Sequence, residues 1–341
     1  MTLSDDILAA IHHQEVRPVP YTLGFEGDVA ERLDVYYGGK EWRRRLAPYM
    51  VTVGAVDTIR ERPISATHTR DVFGGIWRHD RRPFHLEEPP LKEPSLKAFR
   101  FPDAEEFLPD PDKLRADALK ACAEHPDNLR VIHMGWGIFE QSWRIRGFEN
   151  ALMDAIAEPE FYTELLDRLT DLYVTLVKFW DGVPADAFMF GDDWGHQRGV
   201  ILGPDRWRNY IKPCWTRVYE AVHAQGKLAM SHSCGSVAEI LPDIIEMGLD
   251  VLESVQPEAE GMHPYGLKQK WGQQICFWGC LGSQSTIPFG TPEEIRQTVQ
   301  RLCREMGQGG GYILAPAKSL QPETPTENAA AIVEAFTNQQ Y

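Results

Sequence analysis

The stretch Asp186-Ala-Phe-Met-Phe-Gly-Asp-Asp-Trp-Gly195 decides the fold. A short apolar run breaks off into two carboxylates between glycines, and a segment of helical period follows from Pro204 to Gln225. The unit repeats at Lys227-Leu-Ala-Met-Ser231, where the run ends in His232-Ser-Cys-Gly235 and a helix is expected over Val237 to Met247. Short apolar runs bounded by turn residues read as buried strands, and the longer periodic segments as helices. Outward from there, Arg130-Val-Ile-His-Met134, Asp250-Val-Leu-Glu253, Gln274-Ile-Cys-Phe-Trp278 and Gly311-Tyr-Ile-Leu314 are further strands. Pro159 to Trp180 carries Leu165, Leu166, Leu169, Leu172, Leu176 and Phe179 on one helical stripe. Thr291 to Met306 and Thr326 to Phe336 are the last helices. With Val19–Leu23 and Tyr49–Val53 the strand count reaches eight. Alternating β and α with eight strands predicts an α/β fold of the (β/α)8 TIM-barrel type. An open doubly wound sheet should show a glycine-rich phosphate turn after an early strand, and none occurs.

The chain has 341 residues, a length that one barrel domain fills, and the whole of 1–341 is read as one domain. Residues 1–125 are expected to be an irregular, proline-rich extension that supplies the early strands; its Ile59 to Asp112 segment reads as loops and short hairpins, with Phe73-Gly-Gly-Ile-Trp77 as one hairpin strand, and is either a packed surface excursion or a lid over the site. Residues 126–341 hold the regular β/α units. Fifty acidic against 35 basic residues leave a net charge of −15, which argues against nucleic acid and anionic membranes as partners. No apolar run is long enough to span a bilayer, and the first residues lack a signal-peptide core. Six cysteines are sparse for this length and are expected to be reduced, so a cytoplasmic location is expected.

In such a barrel the chemistry sits where strands end. His232 and Cys234 are two apart after a strand, so both can face one ion, and imidazole with thiolate suits zinc. Glu253 at the next strand end and Cys280 at a later one are candidate further ligands. A buried cysteine and a hydrogen-bonded histidine are the structural alternative. Asp192 and Asp193 are adjacent carboxylates, one fit to act as acid while its neighbour stays ionised; a loop cap is the other reading. Lys318 follows the last strand, where it can pair with a substrate carboxylate or carry a proton, or stay solvated. His133, Trp136, His196, Gln197, Gln256 and Gln284 lie at the same ends and are candidate substrate contacts.

Taken together, Gly191-Asp-Asp-Trp-Gly195, His232-Ser-Cys-Gly235, Asp250-Val-Leu-Glu-Ser-Val-Gln256, Ile287-Pro-Phe-Gly-Thr-Pro-Glu-Glu294 and Gly310-Gly-Tyr-Ile-Leu-Ala-Pro316 resemble the uroporphyrinogen decarboxylase superfamily. Leu33-Asp-Val-Tyr-Tyr-Gly38 and Phe99-Arg-Phe-Pro102 are similar to its methyltransferase-like members, which use cobalamin. The decarboxylases carry an arginine-containing motif near the N-terminus, where this chain has Tyr21-Thr-Leu-Gly-Phe25. The resemblance therefore implies a methyltransferase that moves a methyl group between a small methylated compound, or a thiol, and a separate corrinoid protein. It implies zinc on a His-x-Cys pair, matched by His232 and Cys234, plus a distant cysteine whose place is taken by Ala317-Lys318. Asp193-Trp-Gly-His196-Gln-Arg-Gly199 differs by one residue from a corrinoid-binding motif, so the corrinoid is expected on a partner. The alternative is a metal-free decarboxylase with an aspartate as acid and base.

Overall fold

The computed structural model describes residues 2–81 and 83–339. Seven strands form one curled sheet: β1 (Met50–Ala55), β2 (Leu129–Trp136), β3 (Ala187–Gly191), β4 (Leu228–His232), β5 (Val251–Val255), β6 (Cys276–Leu281) and β7 (Tyr312–Pro316). They stand in the sheet in chain order, and every neighbouring pair is parallel. Parallel neighbours need crossovers, and the crossovers hold the helices. Val19–Leu23, expected as an eighth strand, makes a lone parallel bridge from Tyr21 to Leu314. Thr22 N–H donates to the Leu314 carbonyl at 3.0 Å, and Leu314 N–H to that of Pro20 at 2.9 Å. Among the described residues no ladder joins this segment to β1.

Helices α1 (Leu3–Ile11), α2 (Val29–Tyr36) and α3 (Pro111–Glu124) precede β2. Between β2 and β3 lie α4 (Ile138–Arg146), α5 (Phe148–Ala157) and α6 (Pro159–Phe179). Then come α7 (Lys212–His223), α8 (Leu241–Glu246), α9 (Pro264–Trp271), α10 (Pro292–Glu305) and α11 (Thr326–Thr337), one after each strand from β3 on. The leucine stripe of α6 is buried as its period requires: Leu165, Leu169 and Leu176 are wholly covered. Each leucine so buried contributes about 1.5–3 kcal/mol relative to exposure. A bidentate Arg130–Asp186 pair joins the start of β2 to the residue before β3, with Nη2 2.7 Å from Oδ1.

The first 125 residues are more regular than their proline content predicts. Besides three helices they hold a four-stranded antiparallel sheet of Arg62–Pro63, His68–Arg70, Ile76–Arg78 and His85–Glu88. The expected strand over Phe73–Trp77 is a turn leading into Ile76–Arg78. The Asp71 carboxylate shapes that turn by accepting from Gly75 N–H and Trp77 Nε1, both at 2.8 Å. Prolines fit here because short strands ask for few N–H donors. Among the described residues no helix is long and apolar enough to cross a membrane.

Candidate metal and substrate site

Register places the chemistry. Gly191, His232 and Glu253 are direct partners across β3, β4 and β5, so they form one row at the strand ends. The residues just beyond this row converge above it. Asp193 Oδ1 accepts from Cys234 N–H at 2.8 Å and lies 3.3 Å from His232 Nε2. Cys234 Sγ lies 3.1 Å from the same nitrogen. One atom each from Asp193, His232 and Cys234 falls within 4.8 Å of the others, and all three residues are half-buried. Gly235 makes the convergence possible. Its φ is +74°, and a Cβ there would stand 2.6 Å from the Gly195 backbone, so the loops after β3 and β4 touch through glycine.

The second imidazole nitrogen faces the other way. His232 Nδ1 meets the Glu253 carboxylate. Glu253 therefore meets the ring on the nitrogen opposite the one that Cys234 and Asp193 approach. Three anion-forming groups crowd His232. Burial lowers its pKa, but Glu253, Asp193 and Cys234 more than reverse this and hold it well above the ordinary value. Asp193 shows the converse: burial raises its pKa, and the bond to His232 and other contacts bring it below the usual carboxylate value. The donor set suits a metal. An imidazole nitrogen, a thiol and a carboxylate facing an open mouth are what zinc takes when it keeps a coordination position for substrate. A carboxylate behind the histidine is the usual support for such a ligand.

Cys280 stands apart. It is buried on β6 beside Cys276, and burial pushes its thiol pKa up. It does not join the cluster, because it packs in the core with Tyr312 while His232 faces the mouth. Of the four residues expected as ligands, His232 and Cys234 converge with Asp193, while Glu253 meets the other ring nitrogen and Cys280 lies in the core.

Asp192 also differs from its neighbour. It is fully buried and accepts from Phe139 N–H (3.1 Å), Glu140 N–H (2.9 Å), Trp194 Nε1 (2.8 Å) and Trp215 Nε1 (2.7 Å). Two of those donors are unpaired N–H groups at the start of α4, so Asp192 caps that helix from a distance. Burial pushes its pKa up to about 6, against the pull of the four N–H donors.

Glu140, on α4, feels the charges of Asp193 and His232 in the cluster. Its carboxyl is pushed well above the usual value, first by burial and then by the charges of Asp192 and Asp193. His133 opens to the mouth from β2. Protein surrounds its ring closely enough that burial lowers its pKa, while Glu253 raises it. A cleft of about 390 Å³ lies on the other flank of Cys234. His196, Gln197, Gln256, Gln284 and Lys318 line it. Gln256 is committed within the fold, its Oε1 accepting from Gly235 N–H at 2.9 Å. The His196 ring accepts from Arg198 N–H at 3.3 Å, and Lys318 is exposed. Trp136 lies on neither flank of Cys234 but walls a separate pocket beside α4.

These features can be set beside known proteins. The family described as Uroporphyrinogen decarboxylase (URO-D) matches residues 81–339. The uroporphyrinogen decarboxylase of Coxiella burnetii is 24% identical over 184 residues, 53% of this chain and 48% of that protein. Methylcobamide:CoM methyltransferase MtaA of Methanosarcina barkeri is 24% identical over 184 residues, 53% of this chain and 50% of that one. The chain spans about half the length of the curated relatives it matches. A solved methyltransferase from Methanosarcina mazei shares the fold, with a TM-score of 0.69 at 19% identity over 98% of each chain. The chain belongs to the uroporphyrinogen decarboxylase family, in which its relatives include both decarboxylases and a methyltransferase.

Proposed function

We propose that the chain is a methyltransferase that moves a methyl group between a small methylated compound, or a thiol, and a separate corrinoid protein. The observation that carries this is the convergence of His232 Nε2, Cys234 Sγ and the Asp193 carboxylate at the strand ends. In this reading those three residues hold zinc, which supplies Lewis acidity at the oxygen or sulfur that bears the methyl group. Glu253 orients His232 and holds its proton on Nδ1, leaving Nε2 free for the metal. Glu140, its carboxyl favoured in the protonated form by burial and by the charges of Asp192 and Asp193, is the candidate acid for the heteroatom that loses methyl. Lys318, Gln197 and Gln284 position the second reactant in the polar cleft beside Cys234. Val19–Leu23 would close the sheet as the eighth strand of a (β/α)8 barrel, a reading that the bridge from Tyr21 to Leu314 supports.

Glu140 also favours a second reading. Its carboxyl is favoured in the protonated form and that of Asp193 in the ionised form, the two states that acid–base chemistry in a metal-free decarboxylase needs. Metal content separates the two. Protein purified without chelator should hold about one zinc per chain, and the His232→Ala, Cys234→Ala double variant should hold none. A wild-type chain that stays metal-free after zinc is supplied refutes methyl transfer by this mechanism and leaves the decarboxylase.

A further inference from the structure

A cavity of about 450 Å³ lies in the gap between the two edges of the curled sheet. Its volume is within the range of small-molecule sites. On one side stands β7 with its bridged segment, residues 21–24, and on the other residues 46–50 at the start of β1. Glu253 of β5 and Trp278 of β6 also line it.

Glu253 is the wall that this cavity shares with the metal-capable cluster. Its Oε2 meets His232 Nδ1, and the far nitrogen of that ring meets Cys234 and Asp193. Glu253 Oε1 has no hydrogen-bond partner among the described residues. Trp278 is the register partner of Glu253 across β5 and β6, so both side chains rise from the same face of the sheet. Trp278 Nε1 donates to Thr22 Oγ1 at 2.8 Å, a bond that ties the indole to the segment beyond β7.

Charge decides what the cavity accepts. Among the described residues no lysine, arginine or histidine lines it, and Glu253 is its one carboxylate. Lys318 lines the cleft at Cys234 instead, and burial holds the His133 ring toward its neutral form. In the reading above, Asp193 and Cys234 balance the two charges of zinc, and His232 is a neutral imidazole with its proton on Nδ1. Glu253 then keeps a full charge at the cavity wall. An anion would meet that charge with no cation in the lining to offset it. An uncharged ligand would leave Oε1 to water. An ammonium group gives Oε1 a charge-assisted N–H donor beside an indole, and indole faces attract cations.

We propose that this cavity holds the ammonium end of a small amine, so that the methylated compound or thiol handled at the cluster is an amine-bearing one. This rests on the methyltransferase reading above. A molecule with its amine at Glu253 and its heteroatom at the cluster has one imidazole ring to span. The test is calorimetric titration of the zinc-supplied full chain, at neutral pH, with three probes that share a methoxy end. They are 2-methoxyethylamine, a cation, 2-methoxyethanol, uncharged, and methoxyacetate, an anion. The amine should bind at least about tenfold more tightly than the alcohol, and the acid more weakly than either. Glu253→Gln should remove most of that advantage and leave the alcohol within about twofold, a charge-specific change that a merely structural role would not produce. Trp278→Leu keeps an apolar wall without the indole face, and should weaken the amine about fivefold and the alcohol less. Should Glu253→Gln fail to fold, the order of the probes in wild type and the Trp278→Leu variant decide. The alcohol or acid binding as tightly as the amine, no amine binding at millimolar concentration, or an amine advantage that survives in both variants overturns the assignment. Zinc is counted in the same samples. Zinc without amine preference sinks the cavity assignment alone. Amine preference without zinc sinks the methyl-transfer reading and leaves an amine site, and the absence of both sinks both.

Discussion

Replacing Glu253 separates a metal ligand from a residue that only holds one. In the structure its carboxylate meets His232 Nδ1, the nitrogen facing away from Cys234 and Asp193. Removing a carboxylate from behind a ligating histidine costs about 10–100-fold in metal affinity, which is about 1.4–2.7 kcal/mol. Coulomb's law supports that size. Unit charges about 4 Å apart interact by about 1 kcal/mol in water and about 4 kcal/mol at an effective dielectric of about 20. Glu253 is 17% exposed and His232 29%, so the true value falls between those limits. Glu253→Gln keeps an acceptor for Nδ1 and removes the charge, so about a tenfold loss is expected. Glu253→Ala removes both, so the loss should approach a hundredfold. Zinc affinity is read by competition with a chromophoric chelator at neutral pH, with circular dichroism to show that each variant is folded. Two results refute the reasoning. Affinity within twofold of wild type in both variants means the contact does not tune the ligand. A loss in Glu253→Ala as complete as in His232→Ala means Glu253 is itself a ligand.

Two further outcomes follow from packing and charge away from the cluster. Gly137 precedes α4, and a Cβ there would stand 2.4 Å from Asp192 Cβ and 2.7 Å from the Gly191 carbonyl oxygen. Gly137→Ala should therefore cost about 1–3 kcal/mol in denaturant unfolding, and an unchanged midpoint would contradict the close approach. His223 and Asp250 pair at 2.9 Å near the strand starts, and that hydrogen bond raises the histidine pKa above its unfolded value. The pair's stabilisation is full below about pH 6.5 and is lost as pH rises through the folded pKa. Both side chains are at least 30% exposed, so solvent screening keeps the effect under about 1 kcal/mol. His223→Gln should flatten that part of the stability profile, and a profile identical to wild type would contradict the pairing.

Helices α3 and α4 show why some elements escaped the pattern of residues. Helix α4 buries Gln141, Ser142, Arg144 and Arg146 along with Ile138, Phe139 and Ile145. A helix covered on all sides by polar and apolar groups alike has no apolar stripe to find. Helix α3 buries only Ala118 and Cys122, too thin a stripe to register. It did carry a start signal: Asp110 caps it and Pro111 opens it. Glu140 went unnoticed for the first reason, since nothing local marks a glutamate on a helix that buries charge.

The sequence by itself determined the α/β alternation, the sheet strands and the His232–Cys234 pair. Those rest on local spacing: apolar runs of strand length, helical period, and two side chains two residues apart in extended chain. It left Asp192 and Asp193 as equals and gave Glu253 and Cys280 the same role. Only the tertiary structure told them apart. Asp192 turns under α4 to meet four N–H donors, while Asp193 turns toward His232. Glu253 is paired by register to one side of the imidazole, and Cys280 is packed into the core. The pocket beside α4 likewise exists only where residues 61–89 fold back on residues 136–150. Which side of a ring a carboxylate touches depends on strand register and helix packing between residues far apart in the chain. No local spacing encodes that.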